Sequence, residues 1–169
     1  MKIGINPGHT WSGAGSGASG LFSEGKWNRI ISNIIVNELI ISQHEAINII
    51  CHSAKTQNEY LKKVVDEANT EQCDVFASIH FNAGGGNGTE VYTFNAQRDD
   101  RTTYFLKNME NLGFANRGVK NGNGLYVVNN TSMPAYLFEV CFCDSEKDTR
   151  LLSIHYEEIA KIIAKCLTK

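Results

Sequence analysis

The sequence predicts an α/β fold, a single mixed sheet flanked by helices, on three observations. Strand-type and helix-type apolar spacings alternate from one end of the chain to the other. Turn residues such as Pro7-Gly8 and the glycine run at 84–88 fall between them. The 169 residues, 42% hydrophobic and 20% charged, suffice for one domain that buries roughly 70% of its unfolded surface. No repeat, compositional break or linker divides the chain, so residues 1–169 read as one domain.

Each element has its own signal. Residues 2–6 are a short apolar run closed by Pro7-Gly8, a first strand entering a turn. Residues 10–20 are rich in glycine and serine, the composition of a mobile loop. From Trp27, the positions Trp27, Ile30, Ile31, Ile34, Ile35 and Leu39 recur at three- and four-residue spacing, which predicts a helix with one buried stripe. Residues 46–51 form a second strand, and Leu61, Val64, Val65 and Ala68 mark a second helix. Residues 74–79 form a third strand that runs into His80-Phe81-Asn82-Ala83, and residues 89–94 a fourth. Phe105, Met109 and Leu112 place a helix over 102–112. Residues 125–128 and 135–142 read as further strands, and residues 148–167 as a closing helix.

Composition excludes several classes of partner. Sixteen basic and 18 acidic side chains give a formal net charge of −2, and no block of five like charges occurs. This predicts neither a nucleic-acid partner nor an anionic membrane surface. The most apolar stretch, 30–41, is interrupted by Ser32, Asn33, Asn37 and Glu38, too polar and too short for the ~20 residues that span a bilayer. Met1 and Lys2 lead straight into Ile3, leaving no room for a secretion signal, so synthesis and retention in the cytoplasm are expected. The five cysteines, Cys51, Cys73, Cys141, Cys143 and Cys166, sit mostly within apolar segments, as reduced core thiols do. The Cys141, Cys143 pair lacks zinc-site spacing.

Chemistry concentrates where strands end. His9 follows the first strand and His80 the third, while Glu24 stands at the exit of the glycine-rich loop. Alone, each has an ordinary explanation. Two imidazoles and a carboxylate that leave a fourth position open are, together, a common composition for catalytic zinc. Glu139 is the most anomalous residue, a carboxylate inside the apolar run Tyr136-Leu137-Phe138-Glu139-Val140-Cys141-Phe142. Burying it is costly unless it is ion-paired or used. A general base that later protonates a leaving amine is the favoured use, because an apolar setting raises its pKa. His44, His52 and His155 lack this context, and His52 is the only spare ligand.

These residues carry a resemblance. Ile5-Asn6-Pro7-Gly8-His9, Ser23-Glu24-Gly25-Lys26, Ser78-Ile79-His80-Phe81-Asn82-Ala83 and Pro134-Ala135-Tyr136-Leu137-Phe138-Glu139-Val140-Cys141-Phe142 resemble, in order, the motifs of zinc-dependent N-acetylmuramoyl-L-alanine amidases of the type 3 family. Ala68-Asn69 and Arg117-Gly118-Val119-Lys120 extend the likeness over essentially the whole chain. It implies a phosphorylase/hydrolase-like α/β fold, zinc (Zn2+) held by His9, Glu24 and His80, and Glu139 as the catalytic carboxylate. The chain departs from the family at Asn6, where aspartate is usual, and at Cys141, where glycine is common. It also has no clear match for the arginine that often precedes the alanine-asparagine pair. An amide at Asn6 would orient a zinc ligand with less charge.

The implied reaction is hydrolysis of the amide between N-acetylmuramic acid and L-alanine in peptidoglycan. Within the family the chain resembles clostridial phage endolysins, which are made in the cytoplasm and act on the cell wall after release. Such enzymes often carry a wall-binding domain, so the resemblance implies one that is separate from this chain or missing from it, or an enzyme that works with one domain. The rivals are a zinc peptidase that cuts within the stem peptide and a non-catalytic wall-binding module of the same fold. Glu139 speaks against the last, since a binding module has no use for it.

Overall fold

A computed structural model describes residues 1–11 and 15–169. The expected mobile loop over 10–20 includes residues 12–14, which lie outside the described residues. The elements are β1 (Lys2–Pro7), α1 (Glu24–Ile41), β2 (Glu45–Asn48), α2 (Gln57–Thr70), β3 (Val75–Asn82), β4 (Thr89–Thr93), α3 (Asp100–Asn111), β5 (Asn116–Asn121), α4 (Tyr126–Asn130), β6 (Ala135–Phe142) and α5 (Glu146–Leu167). A single 3-10 turn, Phe94–Ala96, follows β4.

The strands form one six-stranded sheet in the order β2-β1-β3-β6-β4-β5. Neighbours run parallel except β4, which is antiparallel to β6, so the sheet is mixed as expected. On one face Ile3, Ile5, Ala77, Ile79, Phe81, Val91, Phe138 and Val140 pack in a core with Ile31 and Ile35 of α1, Phe105 and Met109 of α3 and Ile159 and Ile163 of α5. On the other, Phe76 and Leu137 pack with Tyr60, Val64, Val65 and Ala68 of α2 and Val127 and Val128 of α4. Helix starts are fixed locally: Thr56, Asp99 and Ser145 each accept a hydrogen bond from a first-turn amide of α2, α3 and α5. All five cysteines are buried and free. Among the described residues, no helix is long and apolar enough to cross a membrane.

Two elements differ from the sequence reading. Residues 125–128, expected as a strand, begin the short helix α4. A four-residue apolar run carries no period that separates the two states, and here burial of Val127 and Val128 against α2 decided it. Residues 116–121 form β5, for which no strand was expected. Their sequence NRGVKN has one large apolar side chain because β5 is an edge strand. Gly118, at φ +82°, sits where the β4–β5 register shifts. The third strand also runs to Asn82, which places His80 within β3 and not just beyond it.

Candidate metal and catalytic site

The parallel pairing of β1 with β3, Pro7 opposite Ile79, brings the C-terminal ends of two strands side by side. His9 leaves β1 through Gly8, whose position admits nothing larger. A Cβ there would stand 2.4 Å from the His80 ring. His9 itself has φ +70°, the left-handed region that a side chain enters only when held. The restraint comes from α1, where Asn28 Nδ2 donates to Gly8 O at 3.0 Å and Arg29 Nη2 donates to His9 O at 3.1 Å. Glu24, the first residue of the same helix, is buried and turned inward. Its Oε2 accepts from the Ala18 amide at 2.7 Å, and its Oε1 accepts from the Phe81 amide at 3.1 Å.

His9, Glu24 and His80 therefore offer three ligand atoms, all within 4.8 Å of one another. Hydrogen bonds on the far side of each ring fix which nitrogen is bare. Gly15 O, 2.8 Å from His9 Nδ1, can only accept, so Nδ1 carries the proton and Nε2 presents a lone pair. Ser78 Oγ donates its one proton to Asn6 Oδ1 at 2.9 Å, so towards His80 Nε2, at 3.0 Å, it accepts. His80 Nδ1 is left bare. His9 Nε2 and His80 Nδ1 then stand 2.9 and 3.1 Å from Glu24 Oε1 and 3.2 Å from each other. Three converging electron-pair donors with no proton among them fit a cation, and two nitrogens with one carboxylate oxygen suit zinc.

The protonation shifts agree. Burial pushes the Glu24 carboxyl up, but the close approach of His80 and His9 outweighs it and holds the group well below the usual carboxylate range. Burial lowers His80 even though Glu24 pulls it upward. An ion pair would raise the imidazole, so the pair is a carboxylate beside a neutral ring, as a metal ligand set requires.

Asn6, in place of the expected aspartate, is a junction. Its Oδ1 accepts from Ser78 and, at 3.3 Å, from Tyr60 Oη, while Nδ2 donates to Ile49 O at 2.8 Å. That last bond needs a donor, which an ionised aspartate lacks.

Glu139 lies on β6 directly opposite His80 in the β3–β6 register. No basic side chain of the described residues pairs with it, and its buried Oε2 has no hydrogen-bond partner among them. The structural ion pair weighed in the sequence is not formed. Burial, then the charges of Glu24 and Glu90, push its carboxyl up to about 8. His52 is exposed and away from the cluster, and His155 lies 3.6 Å from Glu158 on α5.

A model of the N-acetylmuramoyl-L-alanine amidase family matches residues 3–169. The chain belongs to this family. Among amidase relatives, it is 31% identical to the N-acetylmuramoyl-L-alanine amidase CwlM of Bacillus licheniformis, over 90% of this chain and 60% of that one. It is 30% identical to the protein CPE1502 of Clostridium perfringens, over 100% of this chain and 52% of that one. The chain thus spans about half the length of the curated relatives it matches. The structure superposes on the catalytic domain of the CD27L endolysin targeting Clostridia difficile with a TM-score of 0.87 and 30% identity, covering 99% of this chain and 97% of that one.

Several side chains at or beside the site were given no role in the sequence reading: Asn28, Arg29, Ser78, Glu90 and Arg117, of which Ser78 and Arg117 appeared only inside the motifs. Glu90 left a signal of its own, as a charged residue in the short strand Thr89–Thr93. The others are ordinary polar residues whose partners lie far along the chain.

Proposed function

We propose that residues 1–169 are a catalytic domain that hydrolyses the amide between N-acetylmuramic acid and L-alanine in peptidoglycan and so acts on the cell wall, with zinc held by His9, Glu24 and His80. Family membership supports the substrate. The observation that carries the chemistry is the pairing of a three-donor cluster with an unpartnered carboxyl in register beside it, His80 opposite Glu139. Zinc, when bound, supplies Lewis acidity towards the scissile carbonyl and makes water acidic near neutral pH.

The chain's own residues do the rest. Ser78 and Gly15 O hold the two rings in the ligating tautomers, and the Ala18 and Phe81 amides keep Glu24 ionised and aimed. Glu139 takes a proton from the attacking water and returns it to the departing L-alanine amine. A carboxyl raised towards neutral pH can do both.

Digestion of purified peptidoglycan tests this. New L-alanine amino termini without new reducing sugar ends are expected, from protein carrying about one zinc. New amino groups on later stem residues would assign the cut to a peptidase, and reducing ends would overturn both readings.

A further inference from the structure

Beyond Glu139, the same face of the sheet carries an arranged cation that the reaction above does not use. Glu90, on β4, stands opposite Glu139 in the β4–β6 ladder and is 2% exposed. Three donors hold it. Arg117 Nε donates to Oε2 at 2.8 Å, and Asn82 Nδ2 and Tyr92 Oη donate to Oε1 at 3.0 and 3.1 Å. The Arg117 guanidinium carbon also lies 4.9 Å from the centre of the Phe142 ring. That ring is itself pinned, since a Cβ at Gly86 would come within 2.5 Å of it.

Arg117 is thus held through one nitrogen and one stacked contact. Its side chain is 38% exposed, and its two terminal nitrogens donate to no partner among the described residues. A buried carboxylate that consumes only Nε leaves a fixed, forked donor facing out. That is the geometry of bidentate carboxylate recognition, with little ordering left to be done on binding.

Its position fits one part of the substrate. Adjacent strands lie about 4.8 Å apart, so a guanidinium resting on Glu90 is one to two strand spacings from Glu139. An extended peptide advances roughly 3.4 Å per residue, which places the second and third stem residues across that span.

We propose that Arg117 is a specificity residue that binds a free carboxylate on the stem peptide, at the second or third residue beyond the cleaved amide. The inference rests on the amidase reading. Where the cell wall carries a carboxamide at that position, the bidentate charge-assisted pair is lost.

The test uses synthetic muropeptides in two matched pairs, carboxylate against carboxamide at residue two and at residue three. Wild-type protein should cleave the carboxylate member of one pair with kcat/KM about 10-fold higher, mainly through KM. The pair that shows it names the carboxylate. Arg117→Lys, which keeps the charge beside Glu90 but not the fork, should bring the ratio near one. So should Glu90→Gln/Arg117→Gln, which strands no buried charge and therefore keeps the fold, checked by thermal melting. A ratio within one variant does not depend on its overall rate. Muropeptide binding in the Glu139→Gln background gives the same ratio without turnover. Equal cleavage of both members of both pairs by wild-type protein overturns the inference, as does a preference that survives the double substitution. Failure of wild-type protein to cut any of the four at the sugar–peptide amide would instead overturn the amidase reading.

Discussion

Glu24 and Glu139 are both carboxylates largely removed from water, one at the start of α1 and the other two strands away from β1, on β6. Burial acts on both in the same direction, yet they end on opposite sides of neutrality. Glu24 is surrounded by two backbone amides and two imidazoles and stays ionised. Glu139 receives no hydrogen bond on Oε2 and faces two like charges, so its carboxyl is pushed up to about 8. Surrounding donors, and not depth, decide the charge of a buried acid, and two acids so separated can take different roles.

The sharpest way to break this comparison is to remove each acid in turn. Glu24→Ala should reduce metal content from about one equivalent to near none and cleavage to background, read by metal analysis and wall turbidity. It also strips the Ala18 and Phe81 amides of their acceptor, at about 1–3 kcal/mol each, so the melting temperature should fall. Glu139→Gln should keep the metal and lose at least ~10²-fold in rate. Because Oε2 has no partner to strand, its melting temperature should hold or rise slightly. A strongly destabilised Glu139→Gln protein with near wild-type activity would make Glu139 structural and place the base elsewhere.

Smaller effects test what holds the ligands. Asn6→Ala removes the acceptor of Ser78 and the donor to Ile49 O. Loss of that support should weaken metal affinity about 10-fold or more, measured by competition with a chelator, while Glu139 is untouched. Unchanged affinity would mean that Ser78 orients His80 without Asn6.

The smallest effect is a pair of opposed pH slopes in chelator-treated protein. Glu139 starts from an ordinary value of 4.5 and is raised to about 8 on folding. The folded state therefore holds the extra proton, and stability should fall as pH rises between those values. Glu139→Gln should flatten that slope. Glu24 is depressed, so its contribution is present above 4.5 and is lost as pH falls below it, a loss that Glu24→Ala removes. Melting temperatures of the three proteins across both windows decide the signs.

The long periodic segments were legible in the sequence alone. The stripe at Trp27 to Leu39, the apolar third strand and the closing helix all appear where their spacing places them, because each was set by side chains within one turn or one pleat of each other. The unusual residues were legible too. A carboxylate at 139 inside an apolar strand stands out without a structure.

Tertiary contacts decided the rest. Whether Leu125-Tyr126-Val127-Val128 pairs or coils depended on α2 beneath it, and the polar run 116–121 became a strand only because β4 offered an open edge. His9 and His80 are 71 residues apart, and only the pairing of β1 with β3 turns two scattered histidines into one cluster. The restraints on His9 from Asn28 and Arg29, and the seating of Arg117 on Glu90, carry no periodicity at all. Local spacing records which side of an element faces the core. Which polar groups meet across the sheet depends on strand order and register, and those are set by the packing of the whole chain.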